Sequence, residues 1–584
     1  MSPVLAVLIA LAWHPSADWT ERPDPSASPY ARRGGVIRFS GAQPPKSFNG
    51  YVDNSSYAKM AFDLQYENLL AMDAATQELE PALARRWAVS DDGREFTFEI
   101  DARARWSDGE PVGAADVKWT FDAVMDPKSD TGPWKAVLGF FESPEVVDAR
   151  TVRFRKKGDS PRDWRDILNC ATFWVLPAHA FAGRDFNTLD FTGAVVGGPY
   201  RIRRVDEQVE LELERHGRWW RQDLPACRGL YNFDRILIRY FADNENGFEA
   251  FMKRKLDVYP VYSARIWSEG LRGRACERNW IVRRRVRNHA PVGFQGFAMN
   301  MRRPPFDDRR VRLAMAHLID REKMNRTMMN GAYFLQRSYY EDLYDGDCPC
   351  PNPLVPYDPA AAVRLLAEAG WRKSPEDGRL RKDGRAFDFV FLSRAASEDK
   401  FLALFDRALR DCGIGMSIVR KDFAGWAHDV DSFNFDMTWA SWGAGVVKYP
   451  EIAWLGAEAD REGSNNVTGF RSDEVDRLIA EEKGLASAED RIAAYRRMDA
   501  LIAAETPYAL LWNTDSVRLA HWNRFGMPPT VLSRCGREED VLAYWWYDDD
   551  RVAELESARA AGGFLPAVPE EVSFDAAQAT EQVQ

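Results

Sequence analysis

Along the 584 residues the hydrophobic pattern switches repeatedly between two periods, and this switching constrains the fold more than any other feature. Phe96, Phe98 and Ile100 alternate with Thr97 and Glu99, the two-residue period of a strand with one face buried. Val209, Leu211 and Leu213 alternate with glutamates in the same way, and residues 235–240 give a third strand. Helical spacing interrupts these runs. Val117, Phe121, Val124 and Met125 fall on one helix face, with Asp116 as the expected N-cap. Val311, Ala314, Met315 and Leu318 form a second such stripe. Pro359 opens a helix at a first-turn position that suits proline, and Gly370 stops it. Asp473 opens another with Val475, Leu478 and Ile479 inward, followed by Ile492, Tyr495, Met498 and Ile502. Both periods mixed throughout, with no fixed-length repeat, predict an α/β protein.

Composition narrows what such a chain does. Hydrophobic residues make up 45% and charged residues 29%, so a large core is available and disorder is excluded for most of the chain. The 21 Trp, 33 Phe and 19 Tyr suit broad aromatic pockets as well as packing. Charge sums to 78 minus 89, or −11, which argues against a nucleic-acid binder. The one basic run, Arg283-Arg284-Arg285 with Arg287, alternates about Val286 and is expected as a solvated strand or loop. Residues 4–13 are a short apolar run, too short to span a bilayer and suited to the core of a signal peptide. No Lys or Arg precedes it and no A-x-A site follows. The expectation is a signal peptide at 1–17, a Pro/Ser-rich linker at 18–33, and a poorly ordered tail at 551–584. A soluble, secreted, periplasmic mature chain follows from these, and the lack of a cysteine just after the apolar run argues against a lipid anchor.

The chemistry-bearing residues are scattered. The cysteines Cys170, Cys227, Cys276, Cys348, Cys350, Cys412 and Cys535 are odd in number and offer no zinc spacing. Cys348-Pro349-Cys350 is either a loop with two thiols or, in an oxidising compartment, a disulfide. No two of the seven histidines stand at ligand spacing, and His317, within the stripe around Met315, is expected to be packed or half-buried. There is no G-x-S-x-G, H-E-x-x-H or P-loop, and residues 443–448 lack the third glycine of a dinucleotide fingerprint and are expected as a loop. No metal, cofactor or catalytic set is expected.

A set of ordered segments carries a resemblance. Residues 79–86 (LEPALARR), Trp87 and Asp91-Asp92-Gly93 precede the strand at 96–100. Trp106-Ser107-Asp108-Gly109-Glu110-Pro111-Val112 and Ala115-Asp116-Val117 follow it. Gly198-Pro199-Tyr200, Phe306-Asp307-Asp308-Arg309-Arg310-Val311, Ile319-Asp320-Arg321, Tyr357-Asp358-Pro359 to Ala369-Gly370-Trp371, Phe435-Asp436-Met437, Ser441-Trp442 and Asn465-Asn466 come next, in order. Over about residues 34–547 the chain resembles the family 5 extracellular solute-binding proteins of ABC transporters, the oligopeptide and dipeptide binders. Trp219-Trp220, Tyr231-Asn232-Phe233-Asp234-Arg235, Phe294-Gln295-Gly296-Phe297 and Ser338-Tyr339-Tyr340-Glu341 resemble its YejA-like branch.

The resemblance implies a two-lobed periplasmic binding protein, a clamp with hinge strands between lobes that closes on its ligand. The first lobe is expected at 34–290, with 505–550 returning to it and an extra subdomain at about 71–187; the second is expected at 291–504. It also implies cargo bound extended, main chain to main chain. Carried over by motif, Asn54, Ser55 and Ser56 form the first-lobe contact, and Ser441, Trp442 and Gly443 the opposing one. Trp442 is open to a second reading as a core ring. One position departs from the pattern. Where peptide binders often place an aspartate for the cargo's α-ammonium, three residues after that Trp, this chain has Gly445, and Asp436 is expected to serve the strand end instead. The implied role is a monomeric binding component that delivers a peptide or peptide-like ligand to an inner-membrane ABC permease. The alternatives are the same fold with an oligosaccharide or metal chelate as cargo, and a peptidase or amidase.

Overall fold

A computed structural model describes residues 13–14, 21–41, 44–53, 55–73, 76, 78–158, 162–206, 209–241 and 243–581. The chain divides into two compact units, Met1–Asn288 with Ser516–Gln584, and His289–Asp515. Most of the expected signal peptide lies outside the described residues. Within it, Trp13–His14 pairs antiparallel with Trp87 and Ala88. The segment expected as a linker is packed: Ser28 is buried, and the Tyr544 hydroxyl donates to Asp24 at 3.1 Å.

Two large sheets dominate the first unit. The larger runs Glu571–Ser573, Ile281–Arg287, Val517–Trp522, Val258–Pro260, Val36–Gly41, Arg235–Tyr240, Glu210–Arg215, Tyr200–Asp206. Val36–Gly41 lies inside it because it pairs in parallel with strands on both sides, and the helix Asn244–Met252 supplies the crossover between those two neighbours. The smaller sheet is antiparallel and carries Ala84–Val89, Glu95–Ile100 and Thr151–Arg155. Its strand Glu95–Ile100 buries Phe96, Phe98 and Ile100 as the alternation predicts, yet Thr97 and Glu99 are buried too. Arg85 and Arg86 cover Glu99 by ion pairing, so the second face is closed by charge rather than left to water. In Glu210–Arg215 the same device recurs, with Glu210 and Glu212 under Arg203, Arg204, Arg235 and Arg239. Val209, read as part of that strand, lies before it and is exposed.

The Trp106 block is structural. Gly109, at φ 102°, closes a turn onto the Trp106 carbonyl at 2.9 Å. Trp106 is fully buried, and its indole N–H donates to Asp116 at 3.2 Å. Asp116 is not the N-cap of its helix. Gly113 caps Ala114–Met125, and Asp116, one turn in, accepts the Gly113 N–H at 2.9 Å. Asp473 opens its helix, Asp473–Glu482, as expected, with Ser472 as the N-cap.

Two expectations about charge and order are corrected together. The basic run is an interior strand, Ile281–Arg287, not a solvated face, because the segment read as a disordered tail closes over it. Glu571–Ser573 adds in parallel, Glu570 pairs with Arg283 at 2.8 Å, and Glu571 pairs with Arg287 at 2.9 Å. The helix Asp549–Ala561 buries Leu555, and Leu565 and Phe574 are buried as well.

The second unit is built on a sheet ordered Gly415–Arg420, Asp388–Ser393, Met437–Trp442, Phe294–Met299, Tyr508–Leu510. Among the helices on it are Arg309–His317 and Ala488–Glu505, whose Tyr495, Met498 and Ile502 are buried as their spacing predicts. His317 is half-buried, with Nδ1 2.9 Å from the Pro356 carbonyl. Cys348 and Cys350 are both free thiols.

Candidate functional site

Met437–Trp442 is paired along its full length on one side only. Against Phe294–Met299 the register runs from Met299↔Met437 to Phe294↔Trp442. Against Asp388–Ser393 it holds only Phe391↔Met437 and Leu392↔Thr438. Among the described residues, sheet pairing on that side therefore stops at Thr438. The edge from Trp439 to Trp442 spans four residues, about 13 Å at strand rise. Trp439 and Ala440 are buried on it, and its end, Ser441 and Trp442, is the part where an added strand could pair.

Trp442 ends this edge. Cross-strand partners point to the same side, so Trp442 shares a face with Phe294, Ala298 and Thr438, over a core containing Trp454, Phe470 and Tyr508. The ring is half-buried at the rim of that core, and its indole N–H donates to the Tyr508 hydroxyl at 3.0 Å. Both readings made for Trp442 thus have a physical basis in one side chain. Ser441 points to the other face, toward Gln295, and is exposed. Gly443 is exposed, and a Cβ there would meet no atom within 4 Å.

Residues 443–449 continue as a loop, as expected. A buried lysine fixes it. Lys448 donates to the Gly445 carbonyl at 2.9 Å and forms an ion pair with Asp342. The second Asp342 oxygen, Oδ1, is buried without a hydrogen-bond partner. Asp436 serves the strand end: its carboxylate accepts from the Val390 N–H at 2.9 Å, and its carbonyl from Asn300 N–H at 2.9 Å.

In the first unit, Asn54 lies outside the described residues. Ser55 is the N-cap of the helix Ser56–Asp63, its hydroxyl accepting from Ala58 N–H at 3.4 Å. Ser55 and Ser56 are exposed. The turn before them is organised by Asp53, which accepts from the N–H groups of Lys46, Ser47 and Ser55 at 2.6, 3.2 and 2.8 Å. Burial would raise the Asp53 carboxyl, but these donors outweigh it and hold it below the usual range. The serines therefore stand side by side in one unit and Ser441, Trp442 and Gly443 in the other.

Tyr508, Lys448, Asp342 and Gly293 were not legible as site residues. Gly293 is required by close approach, since a Cβ there would sit 1.9 Å from the Trp442 carbonyl oxygen. Only its place before the Phe294 strand hinted at this. Among the described residues no cluster of three or more His, Cys, Asp or Glu side chains could hold a metal ion, and no helix is long and apolar enough to cross a membrane.

Two α/β units, one of them resumed in sequence after the other, with a strand in the second whose sheet pairing ends early on one side, define a two-lobed solute-binding protein. The description "Bacterial extracellular solute-binding proteins, family 5 Middle" matches residues 78–459, more than half the chain, and the chain belongs to that family. A binding protein of Brucella suis biovar 1 is 27% identical over 499 residues, covering 80% of each chain. The peptidoglycan-binding protein YepA of Agrobacterium fabrum is 26% identical over 573 residues, 89% of this chain and 92% of YepA. Among solved structures, the periplasmic binding protein DppA from Helicobacter pylori, in complex with the peptide STSA, superposes with a TM-score of 0.69. It is 17% identical and covers 88% of this chain and 99% of DppA.

Proposed function

We propose that the chain is the periplasmic binding component of an ABC importer. It captures peptides or peptide-like compounds by lobe closure and delivers them to a membrane permease. The observation that carries this reading is the edge Trp439–Trp442, where sheet pairing ends and where Ser441 and Trp442 reach the surface. Backbone pairing there is indifferent to side chains, which suits a binder of many sequences. Trp442 supplies an aromatic stop at the end of the edge, held by Tyr508. The complex of DppA with a tetrapeptide and the name of YepA support the same cargo class, and extend it to peptides derived from peptidoglycan. The protein acts as a soluble monomer, binds without converting its ligand, and contacts it through Asn54, Ser55, Ser56, Ser441, Trp442 and Gly443.

The test is thermal unfolding with and without a pool of short peptides, with mass spectrometry of the peptides afterwards. A ligand bound only by the folded chain at 100 times its Kd adds about 2.7 kcal/mol. The expected result is stabilisation with the peptides unchanged, and loss of that stabilisation in Trp442→Ala with folding retained. Peptides consumed would turn the reading to an enzyme. Stabilisation that survives Trp442→Ala would move the site elsewhere.

A further inference from the structure

The second unit carries a partly open pocket of about 250 Å³ that none of Ser441, Trp442 and Gly443 lines. Much of its wall is apolar, with alanines from the helices Arg309–His317 and Ala488–Glu505. Three cationic side chains reach it, Arg309, Arg321 and Arg337, and no Asp or Glu does. Among the described residues none of the three is salt-bridged to a carboxylate. Glu341, which feels the charge of Arg337, spends Oε1 on the main-chain N–H groups of Arg337 and Ser338, at 2.6 and 2.9 Å.

Arg321 is the unusual member. It is only 6% exposed. Its guanidinium donates to the carbonyls of Gln336 at 3.0 Å, Leu510 at 2.7 Å, and Val355. Those bonds take three of the five N–H groups that a guanidinium carries. Carbonyl dipoles are weak compensation for a buried full charge, and burial pushes this guanidinium down to about 10. Arg309 donates to the Ala504 carbonyl and stands at the first turn of its helix, while Arg337 is exposed at the rim. Positive charge thus converges on this pocket from three elements, and none of its lining residues is acidic. A planar guanidinium fork matches a carboxylate or phosphate in bidentate fashion.

We propose that this pocket is a binding site for a small oxyanion with two or more negative charges, a phosphate or a short polycarboxylate, held by Arg309, Arg321 and Arg337. The site is distinct from the peptide edge and does not depend on the cargo reading. Tyr508 joins the two, since it lines the pocket and its hydroxyl accepts from Trp442.

Isothermal titration of the full chain tests this, with inorganic phosphate and with citrate, in chloride buffer matched for ionic strength. Wild type is expected to bind at least one of them saturably. Arg309→Gln with Arg337→Gln is expected to bind at least tenfold more weakly while keeping any stabilisation by peptides. Arg321→Lys, which keeps charge and loses the fork, is expected to weaken binding as well; should it fail to fold, the double variant decides. Binding of phosphate alone assigns a phosphorylated ligand, and binding of citrate alone a carboxylate. No saturable heat with either probe, or equal affinity in the double variant, overturns the proposal.

Discussion

Gly293→Ala is the sharpest perturbation of the site that leaves its chemistry untouched. The added Cβ would lie 1.9 Å from the Trp442 carbonyl oxygen and 3.1 Å from the Gly443 Cα. Contact with a carbonyl oxygen needs more than 3 Å, so the two strand ends must part by about 1 Å. Neither side yields easily, since both colliding groups are main chain. The Gly293 carbonyl is held by Gln336 Nε2 at 2.9 Å and Asn513 Nδ2 at 2.7 Å, and Trp442 is tied to Tyr508. Forcing extra volume into such a contact costs about 1–3 kcal/mol. Part of the displacement should appear in binding, because the residues pushed are Trp442 and Gly443. Gly443→Ala is the matched control: its Cβ meets nothing within 4 Å, so its cost in stability should stay below about 0.5 kcal/mol. Urea unfolding followed by tryptophan fluorescence, with a peptide titration of each variant, separates them. If Gly293→Ala keeps the wild-type midpoint and affinity, or if Gly443→Ala costs as much, close approach does not position the end of this edge.

Two further predictions concern the first unit. Glu570→Gln with Glu571→Gln removes the carboxylates facing Arg283, Arg285 and Arg287, and is expected to cost about 1 kcal/mol in low salt and less in 1 M salt. An equal loss at both salt concentrations in urea unfolding would show that the tail is held by packing instead. His521 is fully buried, with its ring edge-on to Trp545 at 5.0 Å, and burial followed by the charge of Arg284 pushes it down to about 3. The unfolded imidazole titrates near 6.5, so the unfolded state gains a proton first as pH falls. Stability should then drop by about 1.4 kcal/mol per pH unit from 6.5 toward 3. His521→Phe should flatten that slope in unfolding curves taken at pH 7, 6 and 5, and an unchanged slope would assign acid lability to other groups.

What was legible in the sequence followed from local rules. Helices with a clear 3.6-residue face and a capping side chain were found within a residue or two, as at Pro359–Glu368 under its Asp358 cap. Buried apolar positions of strands were legible for the same reason. What the charged positions between them do was not. Glu99, Glu210 and Glu212 look like solvent-facing residues in sequence, and they are buried because arginines from neighbouring strands cover them. Period-2 patterning reports which face is apolar and says nothing of whether the other face is wet. The same blindness produced the reading of a solvated basic strand and a loose tail. Each looked unpartnered alone, and the two segments are partners separated by almost three hundred residues.

The site shows the limit more closely. Motif order located Trp442, but the property that makes it useful is a register, the end of pairing between Met437–Trp442 and Asp388–Ser393 at Thr438. No local pattern encodes where a neighbouring strand stops. Gly445 was legible only as a missing carboxylate, and the structure supplies what stands in the loop instead. Lys448 lies buried with its ammonium on the Gly445 carbonyl and the Asp342 carboxylate, so the chain fills this position with a cation of its own. In the binding mode proposed above, cargo along the edge would meet main chain and the Trp442 ring, with Lys448 rather than a carboxylate anchored in this loop.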